Sequence, residues 1–208
     1  MFNRIPPVTK NIIIINVVML LAMYINENFM LEKFALFYPA SPFFKPYQYI
    51  TYMFMHGGIA HIFFNMYAFF LFGTVLEQVW GGKKFFIYYM VTGLGAAAFF
   101  TFTTWLVSAG YTYEQYYDLL RTPTVGASGA VFGILLGYGM LFPNTVLQLI
   151  FPTIAIKAKW LVIIYGGLEV VLGLSFPGSQ IAHFAHVGGM IFGFILIKYW
   201  NRKGRMYF

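Results

Sequence analysis

Three short strings hold the residues of this chain that could do chemistry. The first is PTVGASGAVFG, residues 123–133, where Ser128 stands between Gly126 and Gly129 at the edge of an apolar run. The sequence has no cysteine, so oxygen nucleophiles are the main covalent option if the chain is an enzyme. Two readings of Ser128 stay open on this string alone. Gly129 and Gly133 form a G-x-x-x-G pair that lets another helix approach closely, and Ser128 would then be only a small packing residue. Alternatively, Gly126 and Gly129 leave room for a carbonyl to reach the hydroxyl. The free N–H groups of a helix start would then steady a developing oxyanion.

The second string, AHVGGMIFG at 185–193, puts His186, Gly189 and Gly193 at i, i+3 and i+7 on one helix face. Glycines that permit close packing therefore aim the imidazole at the same neighbour, for which the glycine face around Ser128 is the natural candidate. A base must lie within hydrogen-bond reach of its nucleophile, and two facing G-x-x-x-G surfaces supply that approach. His183 competes for the role but lacks the matching glycine face, so His186 is preferred. The third string, HGGIAHIFFN at 56–65, puts His61 and Asn65 at i and i+4, both able to donate toward a carbonyl oxygen gaining negative charge. His56 falls off that face, where it can brace the loop. No metal site is expected, since H-x4-H is not zincin spacing and no Cys, Asp or intervening Glu completes a shell. No cofactor is expected either. Asp118, the sole aspartate, lies in the polar stretch YTYEQYYDLLRT, and Glu169 reads as an interhelical hydrogen-bonding group. A Ser-His dyad without a third member follows, its ring fixed by Phe132 one turn after Ser128.

The elements that must position these groups are membrane helices. The 208 residues are 60% hydrophobic and 9% charged, with a mean hydropathy of +0.72, a membrane-protein composition. A hydrocarbon core of about 30 Å takes roughly 20 apolar residues per helix. Gly, Pro, Asn and charge divide the apolar runs into six predicted helices: about 10–28, 57–79, 83–106, 127–142, 158–174 and 185–200. The fold class expected is an all-α polytopic membrane protein, one domain over 1–208. The first run retains no A-x-A cleavage signal and reads as a span. Residues about 29–56, proline-broken and aromatic, read as an interfacial, partly re-entrant loop.

Charge sets the orientation. With a cytoplasmic N-terminus, one side receives Arg4, Lys10, Lys83, Lys84, Lys157, Lys159, Lys198, Arg202, Lys203 and Arg205, and the other only Lys33, Lys45 and Arg121. Ten basic residues against three predicts cytoplasmic termini. The net charge of +7 then reflects topology and lipid headgroups as partners, not nucleic acid. Helices 2, 4 and 6 all run from outside to inside, so His56, His61, Asn65, Ser128, His183 and His186 meet at similar depth near the outer leaflet. Helix 4 is short, 15 residues or about 22 Å. The turn Pro123–Gly126 is therefore set below the surface, where only protein or a water cavity can surround it.

Together the G-x-S-G-x-x-x-G, H-x4-H-x3-N and A-H-x-x-G-x-x-x-G strings resemble the rhomboid intramembrane serine proteases, from about Phe44 to the C-terminus. The resemblance implies a compact six-helix bundle, Ser128 as nucleophile and His186 as general base. It also implies an oxyanion hole of His61, Asn65 and the Ser128 N–H. The activity implied is hydrolysis of peptide bonds in or beside transmembrane segments of substrate proteins, through an acyl-enzyme. Helix 5 and the loop after it would control lateral entry, and the location would be a bacterial inner membrane with the site open to the outer side. Tyr47-Gln48 replaces a Trp-Arg pair common in the family's first loop, which bears on loop anchoring. A non-catalytic escort of membrane helices and a proton-relaying transporter are the competing classes. No inverted repeat favours the transporter.

Overall fold

The computed structural model describes residues 5–149, 153–175, 180–202 and 204. It is mostly helical. Helix α1 (Pro7–Ile25) opens with proline at its first position, where no N–H is missed. Asn26 breaks it and accepts a hydrogen bond from Phe29 N at 3.1 Å, capping α2 (Glu27–Phe34). After an irregular stretch come α3 (Gln48–Thr51) and a 3₁₀ turn. Helices α4 (Ile59–Ala68) and α5 (Thr74–Trp80) run on through a π turn as one helix. Gly81, at φ 77°, makes the reversal into α6 (Gly82–Ser108). Then follow α7 (Tyr113–Arg121), α8 (Ser128–Leu141), the hairpin β1 (Val146–Gln148) and β2 (Ala155–Lys157), α9 (Ala158–Ser175) and α10 (Gln180–Arg202).

Among the described residues, four helices are long and apolar enough to cross a membrane: Pro7–Ile25, Ile59–Trp80, Gly82–Ser108 and Ala158–Ser175. Helix α8 is apolar but has only 14 residues, as its bounding glycine and proline signals predict. Several expectations are corrected. Helix α1 stops at Ile25 rather than 28, because Asn26 caps the next helix instead of continuing the first. Helix α10 starts at Gln180, five residues before the expected 185, so both His183 and His186 lie within it. The region 29–56 is not loop throughout, since it contains part of α2 together with α3. Helix α7 and the hairpin were not expected. Thr112 and Gln115 form the capping box that starts α7, whose residues, Asp118 included, are not buried. The hairpin pairs Val146 with Lys157, Leu147 with Ile156 and Gln148 with Ala155. Arg4, Lys203, Arg205 and part of the expected entry loop after α9 lie outside the described residues.

Helix α6 is the centre of the bundle, packed against α8 and most extensively against α10. Lipid tails are as apolar as the helices, so packing and hydrogen bonds rather than hydrophobic expulsion hold such helices together. Small residues on α6, among them Gly93, Gly95, Ala96 and Ala97, are buried where neighbours approach. Tyr88 Oη donates to Gly133 O at 2.7 Å, and Tyr52 Oη to Gly93 O at 2.8 Å. At the start of α1, Glu77 of α5 accepts from Val8 N (2.9 Å), Thr9 N (2.7 Å) and Thr9 Oγ1 (2.8 Å). A carboxylate there answers both the orphan N–H groups and the positive end of the helix dipole.

The first loop is fastened to the bundle and reaches the serine turn. Gln48 is fully buried. Its Oε1 accepts from Lys45 N (3.1 Å) and Phe37 N (3.4 Å), and its Nε2 donates to Phe43 O (3.0 Å) and Glu32 O (3.3 Å). One neutral amide, at the Tyr47-Gln48 position, thus gathers both halves of the loop. The loop also pairs Leu36 with Thr124, and Tyr52 O accepts from Gly126 N at 3.0 Å. The backbone just before Ser128 is held from two sides.

Candidate active site

Ser128 is the first residue of α8. Its N–H is therefore one of the four at a helix start with no intrahelical acceptor. Gly126, two residues earlier, has φ 134°, a conformation that L side chains rarely adopt. A Cβ on Gly126 would lie 3.0 Å from His61 Nε2 and 3.5 Å from Ser128 Oγ. The missing side chain leaves a notch that the imidazole and the hydroxyl both border.

Helix α10 brings the second half. Ser128 Oγ lies 2.7 Å from His186 Nε2. The Phe132 ring stacks on the imidazole with centroids 4.4 Å apart and planes 9° from parallel. The approach that permits this is a backbone crossing, since a Cβ on Gly189 would lie 1.9 Å from Gly129 O. A side chain at Gly133 would meet Thr92 and Gly189 O, and one at Gly193 would meet Tyr88 and Thr92. The glycine faces thus form a three-helix junction with α6 rather than a two-helix zipper. Of the two readings of Gly129, its surroundings fit packing: one position round the helix from Ser128, it faces Ala96 and Ala185 O.

The third string completes the arrangement. His61 and Asn65 stand one turn apart on α4. Gly57 N donates to His61 Nδ1 in a long bond of 3.4 Å, which puts the ring proton on Nε2, the nitrogen facing the notch. Asn65 is buried, and its Nδ2 has no partner among the described residues. A buried amide donor left unpaired costs free energy in the resting protein and is available to an oxygen that arrives. His56 is fully buried beside His61, ring centroids 4.9 Å apart and roughly perpendicular. Burial first, and then the neighbouring His61, push the His56 imidazole down to about 3, so it stays neutral beside the donors.

Glu169 of α9, read from the sequence as an interhelical hydrogen-bonding group, makes its bonds to the two histidines of α10. Its Oε2 lies 2.8 Å from His186 Nδ1 and 2.7 Å from His183 Nδ1. His186 therefore has a carboxylate on one nitrogen and the hydroxyl on the other. The dyad expected from the sequence has no carboxylate on the base; in the structure Glu169, the acid at that depth on α9, contacts its Nδ1. What the sequence could not supply was the register of α9 on α10. Glu169, His183 and His186 also hold one potential metal-ligand atom each within 4.8 Å of one another, a donor set separate from His56 and His61.

Fold and site define a class first: a polytopic helical membrane protein in which a serine touches a histidine, and a buried amide donor, Asn65 Nδ2, has no partner among the described residues. The comparisons then give the family. The Rhomboid domain model matches residues 43–203, and the chain belongs to the rhomboid family. It is 31% identical over 146 residues to Rhomboid protease GluP of Bacillus subtilis (strain 168), covering 70% of this chain and 24% of that protein. It is 31% identical over 188 residues to RHOMBOID-like protein 12, mitochondrial, of Arabidopsis thaliana, covering 88% and 54%. With Rhomboid protease AarA of Providencia stuartii the identity is 26% over 163 residues, covering 72% and 54%. The chain thus spans between about a quarter and just over half the length of these relatives. Rhomboid proteases are intramembrane serine proteases, and this chain is an integral, multi-pass membrane protein.

Proposed function

We propose that this protein is an intramembrane serine endopeptidase that cleaves peptide bonds in or next to transmembrane segments of other membrane proteins. The observation that carries the reading is Ser128 Oγ at 2.7 Å from His186 Nε2, beside a glycine notch bordered by His61. Ser128 Oγ attacks the scissile carbonyl carbon while its proton passes to His186 Nε2. The carbonyl oxygen, now negative, takes hydrogen bonds from His61 Nε2–H, Asn65 Nδ2–H and the Ser128 N–H. His186 then gives its proton to the leaving amine, and an acyl-enzyme on Ser128 remains. Water, deprotonated by the same histidine, attacks the ester and releases the acid product.

A substrate helix shields its carbonyls in its own hydrogen bonds, so cleavage requires local unwinding. Small or helix-breaking residues near the membrane boundary are the expected zone. Six spans with both termini in the cytoplasm are the topology we infer, supported by the bias of basic residues. In a bacterial inner membrane this turns the site toward the outer side.

A fluorophosphonate probe tests the reading. Wild-type protein in detergent or liposomes is expected to be labelled on Ser128 and to cleave a model transmembrane substrate. Ser128→Ala and His186→Ala are expected to lose both activities. An unlabelled wild type, with cleavage unchanged in Ser128→Ala, would overturn the proposal.

A further inference from the structure

We infer that Glu169 is a positioning residue that fixes the proton of His186 on Nδ1, and that His183 holds Glu169 in place for that task. The inference rests on the reading of Ser128 and His186 given above and extends it to α9. One oxygen, Glu169 Oε2, stands 2.7 Å from His183 Nδ1 and 2.8 Å from His186 Nδ1. An ionised carboxylate oxygen has two lone pairs and no proton, so it serves both rings only when each Nδ1 carries its hydrogen and donates it. For a neutral His186 this choice of tautomer leaves Nε2 bare, and Nε2 is the atom 2.7 Å from Ser128 Oγ. The hydroxyl can then donate to Nε2 and later give up its proton there. The opposite tautomer would present an N–H to the serine, and no proton could be accepted.

The surroundings suit the role. Glu169 is 9% exposed, and the two histidine side chains are about one-fifth exposed. A charge-assisted bond in such a place is stronger than one in water. Phe132 fixes the plane of the His186 ring from the α8 side, while Glu169 fixes its rotation from α9. His183, three residues before His186 on α10, hydrogen-bonds the carboxylate and meets the His186 ring edge-on, and it holds the oxygen at the point where His186 needs it. Once His186 takes the serine proton, the new positive charge faces a carboxylate already in contact, with no side chain to move.

Three measurements on the full-length protein in detergent decide the matter. In Glu169→Gln, a carboxamide can donate to Nδ1 and so admits the wrong tautomer. Both kcat and the fluorophosphonate labelling rate should fall by at least about 10²-fold with KM little changed. Glu169→Asp should recover part of that loss. His183→Ala should lower kcat about fivefold, the rate equivalent of one hydrogen bond. His183→Asn, whose Nδ2 can donate from a similar place, should recover to within about twofold. A purely structural Glu169 would instead lower thermal stability and yield of folded protein while the folded fraction kept its labelling rate. The third measurement needs no variant of Glu169. In wild-type protein labelled with ¹⁵N-histidine, with His186→Ala for assignment, the His186 signal should show a protonated Nδ1 and a bare Nε2. A His186 protonated on Nε2, or Glu169→Gln and Glu169→Leu that label and cleave at wild-type rates, would overturn the inference while the protease reading stood. A wild type that neither labels nor cleaves would sink the protease reading, and the ¹⁵N tautomer would still test the Glu169 contact.

Discussion

Two carboxylates are buried in this bundle to nearly the same degree, Glu77 at 4% exposed and Glu169 at 9%, yet their surroundings set them to different work. Glu77 meets the N–H groups of Val8 and Thr9 and the Thr9 hydroxyl, none of which changes protonation near neutral pH. It closes the start of α1 and ties that helix to α5. Glu169 meets two imidazoles, one of which touches the Ser128 hydroxyl on its other side. Burial is common to both, so burial alone says nothing of function. The distinction lies in whether the partners can move protons and in what those partners touch next.

The sharpest way to break the comparison acts on what lies beyond each carboxylate. Ser128→Ala should lower turnover of a transmembrane substrate by more than about 10³-fold and leave the melting temperature within a few degrees of wild type. If turnover persisted, the Glu169 cluster would be no more catalytic than the Glu77 cluster. Next comes the donor on the far side of the notch. Asn65→Ala should reduce kcat by about 10²-fold with little change in KM, because its Nδ2 is unpaired until an oxyanion forms. A change confined to KM would mean that Asn65 binds the ground state instead.

The opposite experiment belongs to Glu77. Glu77→Leu leaves Val8 N and Thr9 N without an acceptor at a buried helix start, and a loss of about 2–3 kcal/mol in stability is expected. The folded fraction should keep the wild-type fluorophosphonate labelling rate, measured beside a thermal unfolding curve. Loss of labelling without loss of stability would invert the comparison.

How much of this was legible in the sequence depends on what each residue type signals locally. Ser128, His186, His61 and Asn65 stood out because polar groups in apolar runs are few and because alternate spans bring their starts to one depth. The short α8 followed from Gly126 and Pro143 at its edges. The central place of α6 was not legible, since a helix apolar all round has no face that the sequence can point to a neighbour. Thr92, Tyr88 and Ala96 are ordinary residues until the glycines of α8 and α10 are set against them. Glu169 was visible as an acid in a span, but its contact with Nδ1 depends on the rotation of α9, which no local signal encodes. Helix α7 is legible in principle, because Thr112-x-x-Gln115 is the spacing of a capping box. Gln48 shows the reverse case: a departure from the resembled pattern that the structure accommodates through a different set of bonds.

The smallest effect expected separates packing that serves stability from packing that serves rate. Phe132 lies flat on His186, and an aromatic stack of this kind contributes about 1 kcal/mol beyond area burial. At the other end of the bundle, Trp80 and Trp200 meet edge to face at 5.7 Å, with the Tyr88 ring against both. Phe132→Leu keeps most of the volume but removes the flat surface that holds the ring in plane. If the stack restrains the base, kcat should fall about fivefold, the equivalent of that 1 kcal/mol, with the melting temperature almost unmoved. Trp200→Leu should do the reverse, lowering the melting temperature by several degrees while the surviving enzyme turns over normally. Equal losses of stability in the two variants, with kcat unchanged in both, would show that Phe132 is core like any other. The ring of His186 would then be held by Glu169 and the glycine crossing alone.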